Sequence, residues 1–458
     1  MKSRTHQPSC YIIGKDSLSL QCANLLLQYR YRILGIISAD SALCLWAEKR
    51  QLPVYDPSND SQVALATNLA TFMQRQPCDY LFSIHNKYIL PKEILTLPDQ
   101  YAINYHDAPL PKYAGMYATS WAILNREDKY GISWHVMTEE VDAGDILKQS
   151  LFDIAPHDTA LTLNARCYET AIATFEELID ELAHHQIIPT PQNLAERTYF
   201  LSTQRPYAGG VISWQQNAEE IDALCRALTF GVYPNDLTLP KVALGDNPLE
   251  LDLFIVDELT LGSPIVESGT PPGTILAIDN NEAIGMALTV ATRSGAVVIK
   301  KLQTIDGIEC FLDDLVEQYD LQIGKQLCDL APTIADAITA RNRKIARHEP
   351  FWHDRLATLQ PIEPPYQKRS NTVSSPSSSP TDRVTTLAIS MPEPVIDFLQ
   401  ARAWATDHFI FTLFAVYLRL NQKNNYTRTR EWRGGIRTNH FSKPGKRWKR
   451  CSKRSISF

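Results

Sequence analysis

Asn104 and His106 stand two residues apart in Ile103-Asn-Tyr-His-Asp-Ala-Pro-Leu-Pro-Lys-Tyr-Ala-Gly115, and Asp142 follows in the turn-forming run Asp142-Ala-Gly-Asp145. Residues i and i+2 of a strand share a face, so the Asn amide and the His imidazole can converge on one point. These residue types suit acyl transfer to an amine. An amide N–H and an imidazolium can stabilise the oxyanion that develops on a carbonyl oxygen. A carboxylate such as Asp142 can orient the His, raise its pKa by opposite charge, and help accept the amine's proton directly or through water. Asp107 and Asp145 beside this trio read as turn and supporting residues, and Trp134 and His135 as core packing on an apolar strand. His85 and Asn86 read equally as loop polars or as site residues.

The elements that must position the trio read as α/β. The apolar run 10–13 suggests a buried strand, 18–29 has helical spacing, and 32–38 is a second strand. Further strands are expected at 80–84, 101–105 and 131–137, and a long amphipathic helix at 158–182. This alternation favours a parallel, Rossmann-like sheet with crossover helices. The carboxyl ends of such strands are where sites form. Gly14 is the only glycine at the first strand-to-helix turn, which argues against a nicotinamide or flavin site, and no Walker A sequence occurs. After about residue 213, a short helix at 218–228 precedes β segments at 249–256, 273–278, 287–292 and 296–302, which read as a second, β-rich domain.

The formal net charge of −6 conceals a division along the 458 residues. Residues 1–330 carry 23 Lys and Arg against 42 Asp and Glu; the remainder carries 22 against 9. The chain holds nine cysteines, an odd number that never forms C-x-x-C, which fits reduced thiols and no metal site. No apolar stretch approaches the ~18–20 residues that span a bilayer, and the N-terminus lacks a secretory pattern. A cytoplasmic protein with no membrane association is expected.

The blocks Asn-x-His, Leu-Pro-x-Tyr-x-Gly and Asp-x-Gly, in this order and spacing, resemble the N-10-formyltetrahydrofolate-dependent formyltransferase family, of the methionyl-tRNA formyltransferase-like kind. The resemblance implies that Asn104, His106 and Asp142 are the catalytic residues and that N-10-formyltetrahydrofolate is the formyl donor. It also implies a folate pocket built from Tyr88, Ile89 and Leu90 and from Glu139, Glu140 and Val141, with backbone groups doing much of the binding. The segment Ile212-Ser-Trp214 with the helix 218–228 and its following strands resembles the OB-like C-terminal domain of methionyl-tRNA and sugar formyltransferases. Two positions depart from the family pattern: Ala108 stands where many members have Ser, and Arg126 where many have a turn Gly. Reduced or lost activity is one reading of these departures, as a degenerate, non-catalytic scaffold.

The resemblance implies a catalytic domain at 8–200 and an OB-like domain at 205–312. Beyond them, His348-Glu-Pro-Phe-Trp-His-Asp-Arg-Leu356 and Phe411-Thr-Leu-Phe-Ala-Val-Tyr-Leu418 resemble condensation domains of nonribosomal peptide synthetases. This gives a helical, condensation-like segment at 313–369, a Ser/Pro linker at 370–381, a remnant at 382–422 and a basic, unstructured tail at 423–458. The His-His-x-x-x-Asp-Gly condensation motif is absent. The expected acceptor is an aminoacyl thioester on a carrier protein, and the expected partners are that carrier and an adenylation domain. Methionyl-tRNA and an amino-sugar nucleotide are the alternatives; nucleic acid is disfavoured by the acidic charge of residues 1–330.

Overall fold

The computed structural model describes residues 7–357 except 59, 232, 234, 264 and 282–284, together with 393–402, 408–410 and 412–414. The chain divides into two compact units, Met1–Phe351 and Trp352–Phe458. The Ser/Pro linker, the basic tail and most of the condensation-like remnant lie outside the described residues. Of the second unit, the helix Glu393–Gln400 is described.

The first unit opens with β1 (Ser9–Gly14), α1 (Asp16–Gln28), β2 (Arg32–Ile37), α2 (Ser41–Glu48), β3 (Val54–Tyr55), α3 (Gln62–Met73), β4 (Tyr80–Ile84), α4 (Lys92–Leu95) and β5 (Tyr101–His106). Every residue of β1 and β4 is buried, which is why both strands read as unbroken apolar runs rather than alternating ones. After the short β6 (Ala114–Gly115) and α5 (Ala118–Leu124) come β7 (Lys129–Val136), β8 (Ile146–Asp153) and α6 (Ala160–Ala183). The sheet order is β3-β2-β1-β4-β5-β7-β8. Strand order therefore reverses between β1 and β4, and this switch point opens a crevice at the carboxyl ends of the strands. Gly14 sits there because a Cβ would lie 2.1 Å from the Ile84 carbonyl oxygen.

The first five strands pair parallel, but β7 runs antiparallel to β5, and β8 antiparallel to β7. The alternation of strands and helices does not announce this. β7 enters beside the carboxyl end of β5, with His106 opposite Ser133 and Ile103 opposite Val136. The chain thus re-enters the sheet from the end it left. Packed against α1 and α5, α6 is started by a capping pair, Thr159 and Thr162, each hydroxyl accepting the other's backbone N–H. It buries Leu163, Cys167, Phe175, Leu178 and Ile179, and Phe175 meets the rings of Phe82 and Trp134.

A connecting segment carries the two-residue β9 (Tyr199–Phe200) and leads to α7 (Ala218–Leu228), begun by an Asn217–Glu220 capping box. Then follow β10 (Lys241–Leu244), β11 (Asp252–Leu261), β12 (Ile275–Asn281), β13 (Gly285–Ala291), β14 (Ala296–Gln303) and β15 (Glu309–Cys310). They form an antiparallel sheet in the order β10-β11-β14-β13-β12, with β15 on β14, and α7 packs across it. The helices α8 (Leu312–Gln318) and α9 (Pro332–Ala346) complete this part. One continuous hydrophobic cluster runs from Ile12 and Phe82 to Trp214, Ile221 and Leu302, so the two parts share a core. No helix among the described residues is long and apolar enough to cross a membrane.

Candidate active site

The end of β5 and the neighbouring residues of β7 bring the sequence trio together. Asn104 lies opposite His135 in the β5/β7 register and beside Ser83 in the β4/β5 register. Its Oδ1 accepts from the Ser83 hydroxyl at 2.8 Å, and its Nδ2 lies 3.2 Å from His135 Nε2. The His135 Nδ1–H donates to the Val136 carbonyl at 3.0 Å, and its Nε2 lies between Asn104 Nδ2 at 3.2 Å and Asp142 Oδ1 at 3.4 Å. These contacts fix which end of the amide faces which way and leave one Nδ2 hydrogen for a bound molecule.

His106 is buried, and its Nε2–H donates to the Tyr113 carbonyl at 2.8 Å. Its Nδ1 faces two carboxylates beyond hydrogen-bond range, Asp142 Oδ2 at 3.7 Å and Asp107 Oδ1 at 3.9 Å. Nδ1 is therefore the nitrogen left to meet a reactant. Burial alone would push the His106 pKa down; Asp142, Asp107 and the Tyr113 carbonyl outweigh it, and the net shift is upward. Burial likewise opposes the charge on Asp142, yet His106, His135 and the Gly115 N–H hold its carboxyl well below the usual carboxylate range. Asp142 Oδ2 accepts from Gly115 N at 2.9 Å, and Oδ1 lies 3.4 Å from His135 Nε2. Gly115 is at φ +97° with Phe200 O 2.2 Å from where a Cβ would be. A side chain there would displace the backbone that holds Asp142.

Two assignments change. His135 is a site residue rather than core packing: alternation along β7 sends Trp134 into the core, with its indole N–H on Thr174, and His135 to the opposite face against Asn104 and Asp142. Ala108 is fully buried and is not on the cleft wall, so the missing hydroxyl does not open onto the site. Arg126 does occupy a left-handed position, φ +56°, and its side chain reaches Glu220 of α7 at 3.6 Å, on the joint between the two parts.

The trio opens onto a cleft of about 680 Å³. Of the residues expected to hold folate, Tyr88, Ile89, Leu90, Glu139 and Val141 line it. Glu140 does not; its carboxylate pairs with Arg197 at 2.8 Å. Tyr88's backbone N–H and carbonyl are both taken by the Asn86 side chain, which shapes this loop. His85, at φ +53°, also lines the cleft, next to Tyr168 and Asp16. Lys92 of α4 pairs with Glu139 of the loop after β7 at 2.9 Å.

The segment connecting the two parts supplies contacts that motif reading missed. Arg197 Nη2 donates to the Val141 carbonyl at 2.6 Å, and Gln192 Nε2 donates to the Asp142 and Gly144 carbonyls at 3.0 and 2.6 Å. Phe200 stacks between Tyr113 and Trp121, while β9 pairs with β6. The loop bearing Asp142 and the loop bearing Tyr113 and Gly115 are thus both pinned by residues 192–200. Replacing Arg197 by Ala removes a bond to a charged donor, worth about 1.5–3 kcal/mol. Amide exchange over 138–145 should quicken in hydrogen-exchange mass spectrometry while β7 stays protected; unchanged exchange in that loop would show that Arg197 does not hold it.

Residues 49–179 match the family described as formyl transferase, and residues 207–319 match the formyl transferase C-terminal domain. Among solved structures, an N-formyltransferase from Helicobacter canadensis, in complex with folinic acid and dTDP-3-aminofucose, is 17% identical over 64% of this chain and 99% of its own, with a TM-score of 0.46. The sugar 3N-formyl transferase WlaRD, with dTDP and 5-N-formyl-THF, gives 17%, 66%, 99% and 0.46. HypX from Aquifex aeolicus, with tetrahydrofolic acid, is 16% identical over 70% of this chain and 48% of its own, with a TM-score of 0.46. A likeness of this size transfers no property of those proteins to this chain.

Proposed function

The chain carries both domains of the formyl transferase family, and on that premise we propose that it moves a formyl group from N-10-formyltetrahydrofolate to the amino group of a carrier-bound aminoacyl thioester, at the start of nonribosomal peptide synthesis. The observation that carries formyl transfer to an amine is the Asn104 amide, locked by Ser83 and His135 beside an imidazole whose pKa is raised. The cleft suits the folate donor in size, since ligand pockets run to roughly 300–1,000 Å³. It offers an apolar shelf in Leu90, Ile89 and Met137 next to the polar trio.

When bound, the donor supplies a formyl group on an acylated nitrogen. Asn104 Nδ2–H holds the formyl oxygen, and its aim does not change as negative charge builds there. His106 keeps a proton on Nδ1 and presents it to the same charge. Asp142 keeps that proton in place by its own charge, and Gly115 N–H and His135 keep Asp142 from turning away.

The carrier-bound acceptor is supported by charge. Residues 1–330 hold 23 basic against 42 acidic residues. Among the described residues lining the cleft, Lys15 and Lys87 are the basic ones, and Tyr199, Leu201, Ser202, Phe230, Asn235 and Asp236 add none. A polyanionic acceptor would need cations there. A cytoplasmic setting is supported by the eight described cysteines, all free thiols.

To test this, purified protein is given N-10-formyltetrahydrofolate with an aminoacyl carrier protein, methionyl-tRNA or an amino-sugar nucleotide, and formylated product is read by mass. Formylation of the carrier-bound amine is the expected result. Product with the tRNA or the sugar alone would remove the synthetase assignment.

A further inference from the structure

An ordinary primary amine is an ammonium ion at neutral pH and cannot attack a carbonyl until it loses a proton. Asp142 is badly placed to take it: it is buried, its Oδ2 accepts from Gly115 and its Oδ1 faces His135. Asp107 differs. It follows His106 at the open end of β5, lines the cleft, and its side chain is 28% exposed. The one partner described for its carboxylate is His106 Nδ1, at 3.9 Å.

We propose that Asp107 binds the acceptor's ammonium group in the cleft and takes its proton, which makes it a catalytic residue for the acceptor half of the reaction; this rests on the reading of the site as one for formyl transfer to an amine. The ammonium N–H bond breaks, its electron pair stays on nitrogen, and Asp107 becomes a carboxylic acid. A bond then forms from that nitrogen to the formyl carbon as the carbonyl π pair moves onto the oxygen, and when that pair returns the carbon's bond to the donor nitrogen breaks. The amine's second proton passes to the donor nitrogen. Asp107, being partly exposed, returns its own proton to solvent, so one proton is released per turnover.

The surroundings leave Asp107 accessible for this. Within its electrostatic reach are His106 and Tyr105 of β5, Tyr130 of β7, and Cys167 and Tyr168 of α6. The loop after β7 adds Asp142, which shares His106 Nδ1 with it. The three phenols and the thiol are pushed up by burial and are uncharged at working pH. Asp107 also selects: a free amino acid would bring its own carboxylate beside this one, whereas an aminoacyl thioester, ester or amino sugar would not.

The test uses the full chain with Asp107→Asn and two acceptors, an aminoacyl-pantetheine and hydroxylamine, whose nitrogen is unprotonated at neutral pH. The variant should lose about 10²-fold in kcat/KM with the aminoacyl-pantetheine at pH 7, regain most of it as pH rises toward the amine's own pKa, and lose much less with hydroxylamine, only what His106 forfeits with one of its two counter-charges. Equal losses with both acceptors, or no loss with either, would overturn the role. Calorimetry adds a reading independent of turnover, with an aminoacyl-pantetheine amide titrated in the presence of tetrahydrofolate. Binding about tenfold weaker to the variant at pH 6.5 supports an ammonium contact, and equal binding overturns it. If an amino-sugar nucleotide is the acceptor that turns over, the same comparison on that amine supports Asp107 while the carrier assignment falls.

Discussion

Asn104→Ala is expected to cut kcat by roughly 10²- to 10³-fold, the scale of about 2.7–4 kcal/mol seen when one aimed oxyanion donor is removed. The dissociation constant for the folate donor should stay near that of the wild type. The separation follows from geometry: Asn104 sits on a central strand among buried neighbours, while the apolar shelf expected to hold the donor lies on the loop after β4. His106→Ala should fall at least as far, since it removes the second donor and leaves Asp142 with only Gly115 and His135 beside it. Ser83→Ala gives a finer reading. It keeps the amide but releases Oδ1, so a smaller loss in kcat with unchanged melting would separate orientation of the amide from its presence. Near-normal turnover in His106→Ala would dismiss the assigned roles.

Asp142→Asn should act on stability and catalysis together, with a pH signature. His106 has a raised pKa in the folded protein, so its contribution is complete below about 6.5, the ordinary His value, and fades as pH climbs through the raised one. Asp142 has a depressed pKa, so its contribution is present above about 3.9 and is lost as pH falls toward the folded value. The pair therefore stabilises most between those limits. Losing one partner of a buried pair costs about 3–5 kcal/mol, and the lower end applies because neither contact is a close hydrogen bond. The melting difference between wild type and variant should be widest near pH 5–6 and narrow in alkali. A difference that is flat with pH would show that the loss comes from the loop contacts of Asp142 and not from its charge. Turnover at neutral pH should fall on the order of 10²-fold or more as His106 loses its counter-charge.

Asn104, His106 and Asp142 were legible because strand alternation and a turn-rich run put chemistry-bearing residues in a recognisable spacing. Ser83, His135 and Arg197 were not. Ser83 is one small polar residue in an apolar strand, and its value comes from register with β5, which no local pattern states. His135 sits in an apolar run beside Trp134, and only the antiparallel entry of β7 turns it toward Asn104. Arg197 reaches a loop more than fifty residues earlier in the chain, through a segment with no periodicity at all. Four of the five parallel strands, β1, β2, β4 and β5, and the long helix α6 were visible for the opposite reason, since burial and amphipathic spacing leave local traces; the two-residue, half-buried β3 left none. The direction of β7 and β8 leaves none, because a buried strand has the same apolar pattern whichever way it runs in the sheet.

The pinning of both cleft loops by residues 192–200 bears on portability. That segment is the tether to α7, whose Arg226 donates to the Asp158 carbonyl and whose flank meets α5. A graft cut where α6 ends, at Ala183, would carry Asn104, His106 and Asp142 but leave behind their brace. Such a transplant would have the residues and lack the tool. Recombination that moves this chemistry between assemblies must carry the tether and the β-rich part with it, as one cassette.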